Sequence, residues 1–113
     1  MIQTYDDLYK TIESSIEHYS KTPDAMEMAF KKNDNKTCTL TNKRNGKYFV
    51  FMFAQFGHEY KVGFAYYVPD QYGGAKSPEW IEDIFNHEFN GQFVYTLINE
   101  HLVHDGTDDS GWR

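Results

Sequence analysis

The run from Lys47 to Val68 constrains the fold more than any other stretch of this chain. It holds nine of the twenty Phe, Tyr and Trp residues and no proline. Aromatic and β-branched side chains suit a pleated, half-buried surface, and proline would be expelled from the interior of a sheet. Gly57-His58 interrupts the run near its middle, and glycine at the first central position of a type II′ turn accepts positive φ at little cost. A two-residue turn there predicts a hairpin. It sets Phe53 opposite Val62, Phe51 opposite Phe64 and Phe49 opposite Tyr66 on one uniformly apolar face. The other face pairs Ala54 with Lys61, Met52 with Gly63, Val50 with Ala65 and Tyr48 with Tyr67. Side chains alternate along a strand, so a one-residue slip would exchange the faces.

A second turn signal agrees with the first. Asn45-Gly46 is a strong type I′ hairpin sequence. Its two-residue register places Leu40 opposite Phe51 and Cys38 opposite Phe53, on the apolar face, while Thr37, Thr39 and Thr41 join the mixed one. Upstream, residues 22–32 read two ways. Thr22-Pro23-Asp24 resembles a helix start, but Met26, Met28 and Phe30 alternate as a half-buried strand does, and the strand is favoured. A three-residue loop within Asn33-Asp34-Asn35-Lys36 would bring Phe30 opposite Leu40.

Helices are expected at both ends. Tyr5, Leu8, Ile12, Ile16 and Tyr19 form one stripe over residues 4–20, with Thr4 as N-cap and Asp6 and Asp7 in the first turn. Residues 69–77 form a loop containing Tyr72 and Gly73-Gly74. Ser77-Pro78-Glu79 then reads as the start of a helix over 78–90, with Trp80, Ile81, Ile84, Phe85 and Phe89 on its buried side, ended by Asn90-Gly91. Phe93, Val94, Leu97, Ile98, His101 and Leu102 repeat helically over 92–104. Residues 105–113 are a short acidic tail. The expected fold is α+β over residues 1–113 as one domain: an N-terminal helix, an antiparallel meander of three to four strands, and two C-terminal helices packed on the sheet.

Charge is unevenly spread across a chain whose net charge is −6. Residues 1–30 balance to −4, residues 31–47 to +5 and residues 48–113 to −7. An acidic chain is a poor binder of phosphate backbones, and the strands lack the basic residues of an RNA-binding sheet. The basic residues flank two successive turns of a meander, which lie at opposite ends of a sheet. Lys31, Lys32 and Lys36 therefore form one cluster, and Lys43, Arg44 and Lys47 another. No apolar run approaches the ~18 residues of a membrane span, no secretory leader is visible, and a lone Cys38 excludes an internal disulfide, so the expected location is cytoplasmic.

Few residues offer chemistry. His101 and His104 lie three apart, a spacing that can share one helix face, and Asp105 follows; these three are the candidate ligands for a divalent ion. His101 also sits on the apolar stripe, where a structural histidine is the commoner occupant, and no HExxH motif or cysteine pair supports a metal. His58 occupies a hairpin tip, His87 and Glu88 diverge by about 100° on a helix, and Cys38 points into the core. No catalytic motif emerges and no cofactor is expected.

The surplus of Tyr and Trp favours contact with another protein. The expected contact residues are Tyr72, Glu79, Glu82, Asp83, Glu88, Asp105, Asp108, Asp109 and Trp112, facing a partner with a basic, nucleic-acid-binding groove. The expected function is that of a small acidic antagonist, of the type that phages and mobile elements direct at host nucleic-acid enzymes, or a toxin-immunity protein, with no direct nucleic-acid or membrane binding. Two alternatives stand beside it: a small metal-dependent enzyme using His101, His104 and Asp105, and a ligand-binding module on the mixed face around Met52, Gly63, Ala65 and Tyr67. Solvated helix faces are the bland reading of the same acids.

Overall fold

The computed structural model describes residues 1–70 and 77–104. Helix α1 spans Tyr5–Ser20, and Thr4 Oγ1 accepts the Asp7 N–H at 3.1 Å as an N-cap. Asp7 in turn accepts the Gln3 N–H at 3.0 Å, which closes the helix start reciprocally and holds its carboxyl below the ordinary carboxylate value. Five strands follow: β1 Met28–Lys32, β2 Cys38–Asn42, β3 Tyr48–Phe56, β4 Glu59–Tyr67 and β5 Trp80–Phe85. They form one antiparallel sheet in the order β1-β2-β3-β4-β5. A 3-10 turn at Asn86–Glu88, helix α2 at Gly91–Leu97 and a π turn at Ile98–Leu102 complete the described chain.

The central hairpin has the register expected of it, from Tyr48 opposite Tyr67 to Phe56 opposite Glu59. Gly57 takes φ +65° and His58 does not enter the positive range, as the type II′ turn requires. Phe30 faces Leu40 across a loop in which Lys36 adopts φ +75°. The β2–β3 connection differs from the two-residue turn. Asn42 and Lys47 close it, so four residues make the loop, Leu40 faces Phe49 and Cys38 faces Phe51. The shift is two residues, an even number, and each side chain therefore keeps its face.

The stretch from 78 to 90 is where the sequence pattern misleads. It is not a helix. Trp80 to Phe85 pair with β4, from Tyr66 opposite Trp80 to Lys61 opposite Phe85, and make a fifth strand beyond the expected three or four. Asn90, read as a helix stop, is instead the N-cap of α2, with Oδ1 accepting the Phe93 N–H at 2.9 Å.

One face of the sheet carries the core. Leu8, Ile12 and Tyr19 from α1, Phe49, Phe51, Val62, Phe64 and Tyr66 from the sheet, and Val94, Leu97, Ile98 and Leu102 from the C-terminal segment are buried together. Phe53 and Ile84 pack against this cluster, partly exposed. Ser15 Oγ donates at 2.9 Å to the Gly91 carbonyl, tying α1 to α2. Buried Asn86 Nδ2 donates at 2.7 Å to the Ile2 carbonyl and pins the N-terminal segment. No described helix is long and apolar enough to cross a membrane.

Candidate functional site

His101 lies on the core side, at the end of the C-terminal segment. Its ring centroid is 5.1 Å from that of Trp80, 5.4 Å from Tyr66 and 6.0 Å from Phe49. Burial in this aromatic surround pushes its pKa down, because the charged ring would be stripped of water. Its backbone carbonyl accepts the Tyr66 hydroxyl at 2.9 Å. The His104 carbonyl accepts Lys47 Nζ at 2.8 Å, and Asp105 lies outside the described residues. Among the described residues no three His, Cys, Asp or Glu side chains are grouped to hold a metal ion. His101 packs its ring among those of Trp80, Tyr66 and Phe49, half-buried.

Cys38 is wholly buried, as its place opposite Phe51 requires. Burial pushes its thiol up to about 12, the reverse of what a nucleophile needs. His58 lies exposed at the β3–β4 turn, and His87 is exposed and stacks on Phe85 at 5.7 Å.

Four of the predicted contact acids lie along a different element from the one expected. Glu79, Glu82 and Asp83 sit on or beside β5, and Glu88 on the 3-10 turn that follows, all four exposed. Because β5 ends the strand order, this is an acidic sheet edge and not the solvated face of a helix. Among the described residues no strand pairs with its outer side. A strand in that position presents every second N–H and C=O to solvent. Asp83 is paired with Lys61 at 3.4 Å, and Glu88 Oε1 accepts the Phe85 N–H at 3.3 Å and closes the strand's end. Glu79 and Glu82 have no cationic partner among the described residues. Tyr72, Asp108, Asp109 and Trp112 lie outside the described residues, as Asp105 does.

The sheet face opposite the core is the second surface of note. The strand alternation puts Tyr48, Val50, Met52, Ala54 and Phe56 of β3, Lys61, Gly63, Ala65 and Tyr67 of β4, and Ile81, Asp83 and Phe85 of β5 on it. Met52 is 48% exposed, Phe56 61%, Ile81 68% and Phe85 39%. These large apolar side chains share one face that no described element covers. Met52 lies over Gly63, where an added Cβ would approach its Cγ to 3.1 Å. Tyr48 and Tyr67 stack at 4.6 Å. At the β1–β3 end the same face dips into an open groove of about 520 Å³ lined by Ala29, Lys31, Asn33, Thr39, Thr41, Gly46 and Tyr48. That groove includes neither Met52 nor Gly63, Ala65 or Tyr67, the residues expected to hold a ligand.

Phe56, Ile81 and Phe85 were missed by the sequence reading. A signal for two of them exists. Once 80–85 is written as a strand, Trp80 and Ile84 fall on one face and Ile81 and Phe85 on the other, each pair with one acid between its members. Comparison of the chain with protein-family models, with curated proteins and with solved structures gives no match.

Proposed function

We propose that this chain is a non-enzymatic binding protein that engages a basic protein partner through the outer edge of β5, of the kind that blocks another macromolecule by occupying its positive groove. The observation that carries the reading is the placement of Glu82 and Asp83 on a terminal strand, with Glu79 before it and Glu88 after it, whose outer side is unpaired among the described residues. Such an edge offers two kinds of contact at once. Its backbone groups can take an added extended segment as a sixth strand, and its carboxylates favour lysine and arginine on that segment. Two β5 edges from separate copies would set like charges opposite each other, which disfavours pairing of this edge with itself.

Steering by charges exposed to solvent fades with salt, since the screening length falls to about 10 Å at 0.1 M ionic strength. The test is affinity capture from cells of the chain's own source, with the wild type compared against Glu82→Lys/Asp83→Lys. The expected result is a basic partner retained by the wild type at low salt, released as salt rises, and lost in the double variant. Recovery of nothing at low salt sinks the proposal, as does equal recovery by the variant.

A further inference from the structure

We propose that the β5 edge takes its partner segment in one frame, apolar–basic–apolar, with the basic residue opposite Glu82. The proposal rests on the edge reading above and deepens it, by naming the carboxylate that selects the cation and what must stand on either side.

The pairing inside the sheet decides which β5 groups face outward. The turn at Gly57-His58 closes on the pair Phe56 and Glu59, so Lys61, Gly63 and Ala65 of β4 bond in step with Glu59 to β3. Val62 and Phe64 are left to bond to β5, where they meet Ile84 and Glu82. Ile84 and Glu82 therefore spend their N–H and C=O groups inward, and Ile81, Asp83 and Phe85 turn theirs outward. Glu88 agrees with this assignment. Its Oε1 accepts the Phe85 N–H at 3.3 Å and closes the edge at that end. The open ladder is the short piece at Ile81 and Asp83.

An antiparallel segment added there exchanges its hydrogen bonds with Ile81 and Asp83. Glu82, between them, falls at a position where no hydrogen bond is exchanged and facing side chains stand closest, with Cα atoms about 4.5 Å apart. Glu82 is exposed and has no cationic partner among the described residues. Asp83 already has Lys61 at 3.4 Å, and that ammonium lies 5.1 Å over the ring of Phe85. A cation opposite Glu82 gains a partner, whereas one opposite Asp83 meets a carboxylate already paired and the lysine that pairs it.

The residues on either side of that cation fall on the other sheet face. One stands opposite Ile81, which is 68% exposed, and the other opposite Asp83, diagonal to both Ile81 and Phe85. Apolar, β-branched side chains at these two positions cover Ile81 and Phe85. A segment slipped by one residue would set its cation against Ile81 or Asp83 and an apolar side chain against Glu82.

The experiment is an NMR titration of the full, ¹⁵N-labelled chain with three blocked peptides: Thr-Val-Arg-Val-Thr, its isomer Thr-Val-Val-Thr-Arg, and Thr-Val-Glu-Val-Thr. The expected result is shift changes centred on the Ile81 and Asp83 amides, with the first peptide bound about fivefold tighter than its isomer and the third not bound. Glu82→Gln should bring the first peptide to within about twofold of the isomer, and Asp83→Asn should leave the preference in place. Both positions are exposed, and the amide spectrum itself shows that each variant stays folded. Equal binding of the two isomers at β5 overturns the frame and leaves the edge reading standing. Shift changes confined to other strands, or no binding by either arginine peptide, also overturn the frame, and the capture experiment then decides the edge reading by itself.

Discussion

Asn42 donates from Nδ2 to the carbonyl oxygen of Leu102, sixty residues away, at 2.8 Å. Asn42 is wholly buried, and its Oδ1 accepts the Arg44 N–H at 2.9 Å. Asn45 Nδ2 reaches the same Leu102 carbonyl at 2.9 Å, and Lys47 Nζ takes the His104 carbonyl at 2.8 Å. The β2–β3 loop therefore caps the C-terminal helical segment. Carbonyls left over at a helix end need partners, and a cation there complements the dipole. The loop is four residues long for the same reason that the helix can end where it does: each satisfies the other.

This cap supplies a first prediction. Asn42→Ala leaves the Arg44 N–H without its acceptor and removes one of two donors from Leu102, and should cost about 2–3 kcal/mol. Asn45→Ala, at an exposed position with the Leu102 carbonyl still held by Asn42, should cost about 1 kcal/mol or less. Urea denaturation of the two variants measures the difference.

The two sheet faces should respond oppositely to truncation. Phe49 is wholly buried and its ring meets those of Phe51, Phe64, Tyr66 and Trp80. Phe49→Ala should lose about 3–5 kcal/mol of stability. Phe56→Ala, at a residue already 61% exposed, should stay within about 0.5 kcal/mol. Chemical denaturation of the two variants compares them directly.

Two turn glycines differ in their surroundings. Gly46 holds φ +80° with Pro69 Cγ 3.0 Å from where a Cβ would sit, whereas Gly57 holds φ +65° with nothing within 4 Å. Left-handed backbone costs an L-residue about 1–2 kcal/mol, so Gly57→Ala should lose that much. Gly46→Ala should lose more, because Pro69 must also move. Paired thermal melts decide the order, and an equal loss at both sites would show that Pro69 yields freely.

His101 makes stability depend on pH. Its folded pKa lies below the ordinary 6.5, chiefly through burial, with His104 and Lys47 adding to the fall and Glu100 and Glu82 opposing it. The unfolded chain binds a proton at this site more readily than the folded chain does. Its contribution is therefore complete above about pH 6.5 and is lost as pH falls through the folded pKa. His101→Gln should flatten the fall in unfolding free energy between neutral and mildly acidic pH. An NMR titration of the imidazole that places its pKa at or above 6.5 would contradict the assignment.

Much of this molecule is legible from near neighbours in the chain. The stripe from Tyr5 to Tyr19, the Thr4 cap, Gly57 at its turn and the alternation from Phe49 to Tyr66 are all set by residues within a few positions of each other. The even shift at Asn45-Gly46 shows why the faces survived a wrong loop length. The acids Glu79, Glu82, Asp83 and Glu88 were visible as a group, but their helical setting was not correct.

Residues 80–85 show the limit. Trp80, Ile81, Ile84, Phe85 and Phe89 fit a helical stripe about as well as a strand, and local preference is a weak guide where both patterns fit. The decision was made by β4, whose outer N–H and C=O groups would otherwise be unpaired along a hydrophobic sheet, and β5 supplies their partners. That choice turned an acidic helix face into an acidic sheet edge and brought Ile81 and Phe85 onto the same face as Met52. Local spacing alone determined the faces of the hairpin. Only long-range pairing determined what lies at the sheet's edge, because the need for a backbone partner is felt across the fold and leaves no mark in the spacing of side chains.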